Sequence, residues 1–216
     1  MAQSVVELDE SKVAKKGETG RMFKSAFMER ASRVHPATPF VFYIPLLGWL
    51  FVRCVQYGAL SVGAIVGFVV AGFALWSLTE YLLHRFVFHW GENGGAFGRR
   101  VHFLLHGVHH DYPNDKTRLV MPLGASIPIA ILFWGIFHGL IGTTYGDPLY
   151  VGMGIGYLVY DFTHYSVHHF KQRTAFGKWL RRHHMVHHFA DHEGGFGVSS
   201  PLWDHVFGTM PHKKSA

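Results

Sequence analysis

The run CVQYGALSVGAIVGFVVAGFALWSLT, residues 54–79, decides what kind of protein this chain forms. None of its residues is Asp, Glu, Lys or Arg. A helix needs about 20 mostly apolar residues to cross a bilayer, so this run predicts a transmembrane helix. The composition agrees, because hydrophobic residues make up 49% of the chain and charged residues only 16%, against about 25% charged residues in soluble domains.

Three further uncharged stretches, at 34–52, 119–146 and 148–160, extend this pattern. The last one is short, and the turn sequence GTTYGDP (142–148) separates it from the stretch before it. We expect spans near 34–52, 54–79, 119–141 and 148–162, with the last two forming a helical hairpin. A re-entrant hairpin that does not fully cross the bilayer is the alternative.

The predicted fold class is therefore all-α, a multi-pass membrane protein with four transmembrane helices and a cytosolic, histidine-rich helical cap. One integral-membrane domain covers residues 34–216, and the cap comes from 83–117 and 164–216. Residues 1–33 form a polar N-terminal segment that has the composition of an interfacial helix and lacks the layout of a signal peptide.

Charge predicts the orientation of this fold. Of the 20 lysines and arginines, only Arg53 lies in the connection between the first two predicted spans, and the others share one face. The positive-inside rule makes that face, with both termini, cytosolic. The net charge is +6, but the basic residues flank apolar runs, which argues against nucleic-acid binding. The single cysteine, Cys54, excludes an intrachain disulfide and a cysteine-based metal site.

Most of the 18 histidines fall into four short boxes: HRFVFH (84–89), HFLLHGVHH (102–110), HYSVHH (164–169) and HHMVHH (183–188). Two crossings separate the second box from the third, so all four boxes lie on one side of the membrane. Residues at i, i+3 and i+4 share a helix face, so three of the boxes are expected to aim several imidazoles at one point. His84 and His89 are five apart, which means that the helix ends between them or that they serve two different metals.

Ten histidines are too many ligands for one ion, whereas two ions with five nitrogens each would use all ten. Nitrogen ligands alone suit iron, zinc, copper or nickel. The position against apolar spans favours iron, because oxidation of acyl C–H bonds needs oxygen chemistry, and a hydrolytic His-Glu-x-x-His motif is absent from the sequence. A loose histidine-rich metal-binding tract is the alternative. The ten candidate ligands are His84, His89, His106, His109, His110, His164, His168, His184, His187 and His188.

Ligand imidazoles usually donate their second N–H to a carboxylate or a carbonyl. The candidate partners are carboxylates near the boxes: Asp161, Glu80, Asp111, Asp191 and Asp204. Asp161 is favoured, since it lies three residues before His164, although an ordinary helix-terminal charge explains it equally well. The histidines outside the ten-residue set divide into possible outer contacts, which are His102, His169, His183, His192 and His205, and ordinary core or interfacial residues, which are His35, His138 and His212.

The spacing H-x4-H, H-x2-H-H, H-x3-H, H-x2-H-H resembles that of the fatty acid hydroxylase and sterol desaturase superfamily, and most closely its fatty acid 2-hydroxylases. The flanking words EYLLHRFVFH, HGVHHDYPNDKTRLVMP, GYLVYDFTHY and GFGVSSPLWDHVFGT are similar as well, over roughly residues 75–210. The resemblance implies two iron ions, with zinc as an alternative occupant in purified protein. It also implies O2-dependent hydroxylation at carbon 2 of a fatty acyl chain, free or within a sphingolipid.

Many eukaryotic members of that superfamily carry an N-terminal cytochrome-b5-type domain with a His-Pro-Gly-Gly motif. Here VHPATP contains His35 and Pro36 without the glycines. We therefore expect a separate electron-transfer protein to supply electrons. The C-terminal KKSA fits a dilysine retrieval signal or a plain basic tail, so the endoplasmic reticulum and a bacterial inner membrane both remain open as the host membrane.

Two other activities remain open at this point. Sterol oxidation or desaturation and carotenoid hydroxylation use the same histidine pattern in this superfamily. A metal transporter or metal store belongs to a different class, but it would place polar ligands near the bilayer midplane. Here two histidines lie within predicted spans, His138 and His35, and His35 is at the very end of its span.

Overall fold

A computed structural model describes residues 19–212, and all regular secondary structure in that range is helical. The dilysine motif and most of the predicted interfacial segment lie outside the described residues. The helical elements are α1 (Ala26–Ala31), α2 (Thr38–Tyr57), α3 (Val62–Leu82), π1 (Leu83–Phe88), α4 (Ala96–His102), π2 (Phe103–Gly107), α5 (Val108–Asp111), α6 (Leu123–His169), α7 (Ala175–Phe189) and α8 (Leu202–Phe207).

Three helical stretches in the described part of the chain are long and apolar enough to cross a membrane: Thr38–Tyr57, Val62–Phe88 and Leu123–His169. This agrees with the predicted all-helical membrane fold. α2 has a proline at its start, where a missing N–H is harmless. The Ser61 hydroxyl caps α3 by accepting a hydrogen bond from the N–H of Ala64 at 3.3 Å, which satisfies one of its unpaired donors.

The 47-residue helix α6 consists of two limbs that meet at Gly142. This glycine has φ 71° and ψ 173°, a region that is essentially restricted to glycine. The limbs fold back on each other, because a Cβ at Gly146 would lie 3.3 Å from the backbone of Phe137. Nε2 of His138 lies 2.7 Å from Oδ1 of Asp147 and joins the limbs beside the turn. The predicted hairpin is thus present, although its break is one residue rather than seven.

Several helix boundaries differ from the sequence-based ones. α2 continues through Arg53, whose guanidinium lies over the Trp49 ring at 4.9 Å, so the connection to α3 is 58–61 rather than residue 53. The helix continues past Arg53 because neither glycine nor proline occurs between Arg53 and Gly58. In the second limb of α6 the helix runs on to His169. His164 and His168 therefore belong to the same helix as the predicted fourth span.

α3 packs closely against the second limb of α6 through facing glycines. A Cβ at Gly72 would lie 1.9 Å from the carbonyl oxygen of Leu149, and one at Gly152 would lie 1.9 Å from that of Val69. Small residues of this kind let helix backbones approach in a membrane. This contact holds the middle of α3 against the second limb of α6. From there both helices run toward the side of the fold where the histidines lie, which we call the upper side.

The N-terminal segment is tied to the cap by a buried ion-pair network. Arg118, which is 6% exposed, pairs with Glu29, and Glu29 also accepts from Arg33 at 3.1 Å. Burial alone would raise the pKa of Glu29, but hydrogen bonds from the backbone N–H groups of Phe23 and Met22, with Arg118 and Arg33, lower it from 4.5 to about 2. Glu29 is thus a charged anchor between the segment and the cap.

Candidate metal centre

The ten predicted histidines converge into two clusters. His84, His89, His106, His110 and His187 form cluster one, and His109, His164, His168, His184 and His188 form cluster two. Within each cluster the potential ligand nitrogens lie within 4.8 Å of one another. The clusters adjoin, because the rings of His110 and His188 stack at 4.2 Å between centroids. This arrangement matches the expected two sites of five nitrogens.

The spacing of His84 and His89 is explained by a π-helical turn. Residues Leu83–Phe88 form π1, in which the backbone bonds run from i to i+5. Residues five apart then share a face, and both imidazoles enter cluster one with centroids 5.2 Å apart. The helix ends at Phe88, between the two histidines, which confirms one of the two sequence-based interpretations. The other interpretation, that they serve two different metals, was wrong, since both belong to cluster one. A second π turn, Phe103–Gly107, carries His106.

Two of the boxes divide their histidines between the clusters. His109 lies in cluster two, whereas His106 and His110 lie in cluster one. In the last box His187 belongs to cluster one, whereas His184 and His188 belong to cluster two. The expectation that each of these boxes aims at one point was therefore wrong. α5 and α7 lie between the two sites and supply both.

Hydrogen-bond partners assign the tautomers in cluster one. Nδ1 of His84 lies 2.6 Å from the carbonyl oxygen of Phe196, and Nδ1 of His187 lies 2.8 Å from that of Gly194. A carbonyl oxygen only accepts, so each Nδ1 carries the proton and each Nε2 presents a lone pair. Nδ1 of His89 faces the Glu92 carboxyl group at 3.0 Å, which assigns the same tautomer.

These lone pairs point at each other. Nε2 of His84 faces Nε2 of His106 at 3.0 Å. Nε2 of His89 and Nε2 of His187, which both lack a proton, lie 3.2 Å apart. Two bare nitrogens at this distance repel each other unless a cation binds both of them. The donor set therefore fits a metal ion, which needs neutral imidazoles as ligands.

Burial keeps the imidazoles neutral. It holds the pKa of the deeply buried cap histidines well below the ordinary 6.5, and neighbouring imidazoles lower it further. The pKa of His89 is also lowered by burial, although Glu92 acts in the opposite direction. The cap histidines whose pKa is lowered in this way include His106, His109, His110, His184, His187 and His188.

The loop that supplies the two carbonyl groups is fixed by buried carboxyl groups. Glu80 accepts from the N–H groups of Val198 and Ser199 at 2.8 and 2.7 Å, and from the Ser199 hydroxyl at 2.6 Å. Asp204 accepts from the N–H groups of Phe196 and Gly197 at 3.0 and 2.8 Å. Glu80 and Asp204 thus position the loop that orients His84 and His187.

The predicted carboxylate partners do not bond to the clustered imidazoles directly. Asp204 pairs with His183 at 3.1 Å, which lies outside the clusters. Asp191 accepts from the N–H groups of Glu193 and His212. Among residues 19–212, no hydrogen bond joins Asp111 or Asp161 to a clustered ring. Oδ2 of Asp161 and Nδ1 of His164 both lack a hydrogen-bond partner among the described residues.

Sequence reasoning missed the groups that orient cluster one. Glu92 lies three residues after His89 and outside every box, so only this spacing could have indicated it. The carbonyl groups of Gly194 and Phe196 belong to the word GFGVSSPLWDHVFGT, but a backbone acceptor leaves no residue-type signal. Of the five other histidines, His102 bonds to the carbonyl oxygen of Phe88 at 2.8 Å and supports the outer side of cluster one.

Comparison with known proteins places this architecture among its relatives. The chain is 39% identical over 196 residues to the dihydroceramide fatty acyl 2-hydroxylase FAH1 of Arabidopsis thaliana, covering 90% of this chain and 81% of that protein. It is 32% identical to the human fatty acid 2-hydroxylase, covering 90% of this chain and 59% of that one. A solved structure of full-length scs7p, with only its hydroxylase domain visible, superposes with a TM-score of 0.80 at 30% identity. That match covers 88% of this chain and 71% of that one.

The family match spans the histidine boxes and the loop that orients them. Residues 69–209 match the family described as fatty acid hydroxylase, from the second membrane helix to the last helix of the cap. Both histidine clusters and the positioning residues Glu80, Glu92 and Asp204 lie inside this range. The chain belongs to the fatty acid hydroxylase family.

Proposed function

We propose that this protein is an O2-dependent oxidoreductase that adds a hydroxyl group at carbon 2 of fatty acyl chains, free or as the N-acyl group of a sphingolipid. The observation that carries the proposal is the pair of five-histidine clusters at the upper ends of apolar helices. The matched proteins support the position of attack, since the relatives above are named as 2-hydroxylases of fatty acids or dihydroceramide.

The ten clustered histidines are proposed as the ligands of two iron ions, one in each cluster. Iron supplies the oxygen chemistry that oxidation of an acyl C–H bond requires. Zinc also accepts nitrogen ligands and is the alternative occupant in a purified sample. The protein orients the ligands of cluster one through the Gly194 and Phe196 carbonyl groups and Glu92.

The chain's own residues also keep water away from the reacting carbon. Seven of the ten clustered histidines are buried, and Phe88 and Phe196 pack against rings of cluster one. A dry site strengthens the electrostatic interactions inside it and limits side reactions. Electrons are proposed to come from a separate electron-transfer protein.

The proposed membrane arrangement has four crossings, α2, α3 and the two limbs of α6, within one domain at 34–216. The limbs on either side of Gly142 are 19 and 27 residues long, which is enough for each to span the hydrocarbon core. The distribution of lysine and arginine supports a cytosolic cap and cytosolic termini. The endoplasmic reticulum and a bacterial inner membrane are both compatible with this orientation.

Mass spectrometry of acyl chains from a host without 2-hydroxy lipids tests this proposal. Cells express the parent chain, His187→Ala or the matched control His212→Ala, which removes an exposed imidazole outside the clusters. We expect 2-hydroxy acyl chains with the parent and with the control, and none with His187→Ala. Hydroxylated or desaturated sterols or carotenoids in their place would overturn the proposal.

A further inference from the structure

A narrow cavity lies between α2, α3 and both limbs of α6, below the metal centre. The side chains around it are mostly aromatic and aliphatic. A hydrocarbon chain is the ligand that such walls accept, because burying it costs no unpaired hydrogen bond.

The upper end of the cavity touches both histidine clusters. Phe88 lines the cavity and stacks on His106 of cluster one at 5.3 Å between centroids. Tyr160 also lines it, and its ring lies 5.6 Å from that of His164 of cluster two. A chain that enters the cavity from the metal centre therefore has its first carbons beside both clusters.

The lower end of the cavity is formed by Phe133 and Tyr150, one from each limb of α6. Phe133 lies nine residues before Gly142 and Tyr150 eight residues after it, so the two aromatic rings start from the same depth. Phe137, one turn below Phe133, is buried, and its ring lies 6.2 Å from that of Phe133. A buried aromatic side chain thus packs directly beneath Phe133.

We propose that this cavity holds the tail of the acyl substrate and that Phe133 and Tyr150 limit the length of chain that it accepts. The inference rests on the proposed function and deepens it, since it assigns the residues that select among acyl substrates.

The depth of the cavity follows from helix geometry. Tyr160 and Tyr150 are ten residues apart on one limb, which corresponds to about 15 Å at a rise of about 1.5 Å per residue. An extended acyl chain advances about 1.25 Å per carbon, given C–C bonds of about 1.5 Å in a zigzag. The cavity therefore takes roughly twelve carbons below its upper end. Ala130 lies three residues nearer the cap than Phe133, or about 4.5 Å, so a larger side chain there would remove room for about four carbons.

Two substitutions should shift the preferred chain length in opposite directions. Phe133→Ala opens the lower end, and Ala130→Leu fills the cavity above it. Leu132→Ala and Ala125→Leu make comparable changes at exposed positions on the same limb and serve as matched controls. Membranes with each variant receive an equimolar mixture of even-numbered fatty acyl substrates, and the 2-hydroxy products are separated by length with mass spectrometry.

We expect the ratio of long-chain to short-chain products to rise about tenfold with Phe133→Ala and to fall about tenfold with Ala130→Leu, as methylene-sized changes in an apolar pocket produce. The controls should keep the parent's ratio. Phe133→Leu and Ala130→Val give smaller steps in the same directions if a larger change prevents folding. An unchanged ratio in variants that retain the parent's metal content would overturn the inference, as would an equal shift in the controls. Absence of 2-hydroxy products from the parent itself would instead contradict the proposed function.

Discussion

Glu80 should control metal binding although it touches no clustered histidine. Its carboxyl group accepts two backbone N–H groups, those of Val198 and Ser199, and the Ser199 hydroxyl. These bonds fix the loop whose Gly194 and Phe196 carbonyl groups orient two ligands of cluster one. Glu80→Ala should therefore release the loop and lower the metal affinity of cluster one more than that of cluster two.

The expected size of the effect follows from the bonds that are lost. Two buried N–H groups without partners destabilise the loop by about 1–3 kcal/mol each, or about 2–6 kcal/mol together. The whole protein is stabilised by only about 5–15 kcal/mol, so the loop should open locally while the helices remain folded. Loss of orienting partners typically lowers metal affinity about 10- to 100-fold.

Elemental analysis of the purified protein measures this effect as metal ions per chain at a fixed, limiting metal concentration. Glu80→Gln is the matched control, because its carbonyl oxygen can still accept both backbone N–H groups. We expect Glu80→Ala to lose close to one metal per chain and Glu80→Gln to retain most of it. Equal metal content in Glu80→Ala and the parent would refute this reasoning, and so would equal loss in both variants.

Three further predictions follow from other parts of the structure. Glu92→Ala should weaken metal binding by cluster one about tenfold, because His89 loses the acceptor for its Nδ1 proton; Glu92→Gln, which keeps an acceptor oxygen, should restore most of the affinity in a metal titration. Gly142→Ala should lower the stability in detergent by about 1–3 kcal/mol, because its φ and ψ are restricted to glycine; unchanged thermal unfolding would contradict the hairpin geometry. The pKa of Glu29 is depressed by the backbone N–H groups of Phe23 and Met22 and by Arg118, so the stability that these contacts contribute is present above pH 4.5 and is lost as the pH falls toward about 2. Glu29→Gln should reduce this part of the pH dependence, and identical acid-unfolding profiles would contradict it.

The ten clustered histidines could be predicted from the sequence, because both the residue type and the spacing of metal ligands can be read from it directly. Their division between the clusters could not be predicted from regular helix geometry. Regular periodicity places His84 and His89 on different faces, whereas π1 places them on one face. A π turn depends on tertiary contacts around it, which the spacing of apolar residues does not report.

The carboxylates near the boxes were identified from the sequence, but their roles were not. Glu80 and Asp204 do not bond to the clustered histidines. They accept hydrogen bonds from backbone N–H groups of residues 196–199, in the loop whose carbonyl groups contact His84 and His187. Such a contact depends on how a loop folds back over α3, and no local pattern encodes it. The membrane hairpin was predictable, because glycines interrupt the long apolar run around 142, whereas the single residue at which the chain turns was not.

The most direct test of the account follows the oxygen atom. Iron-loaded protein in lipid receives a fatty acyl substrate, a chemical reductant and ¹⁸O₂, and the product is analysed by mass spectrometry in parallel with metal-free protein. We expect a hydroxyl group at carbon 2 that carries ¹⁸O, formed only by the metal-loaded protein. A product without ¹⁸O, or equal amounts of product from the metal-free protein, would contradict it.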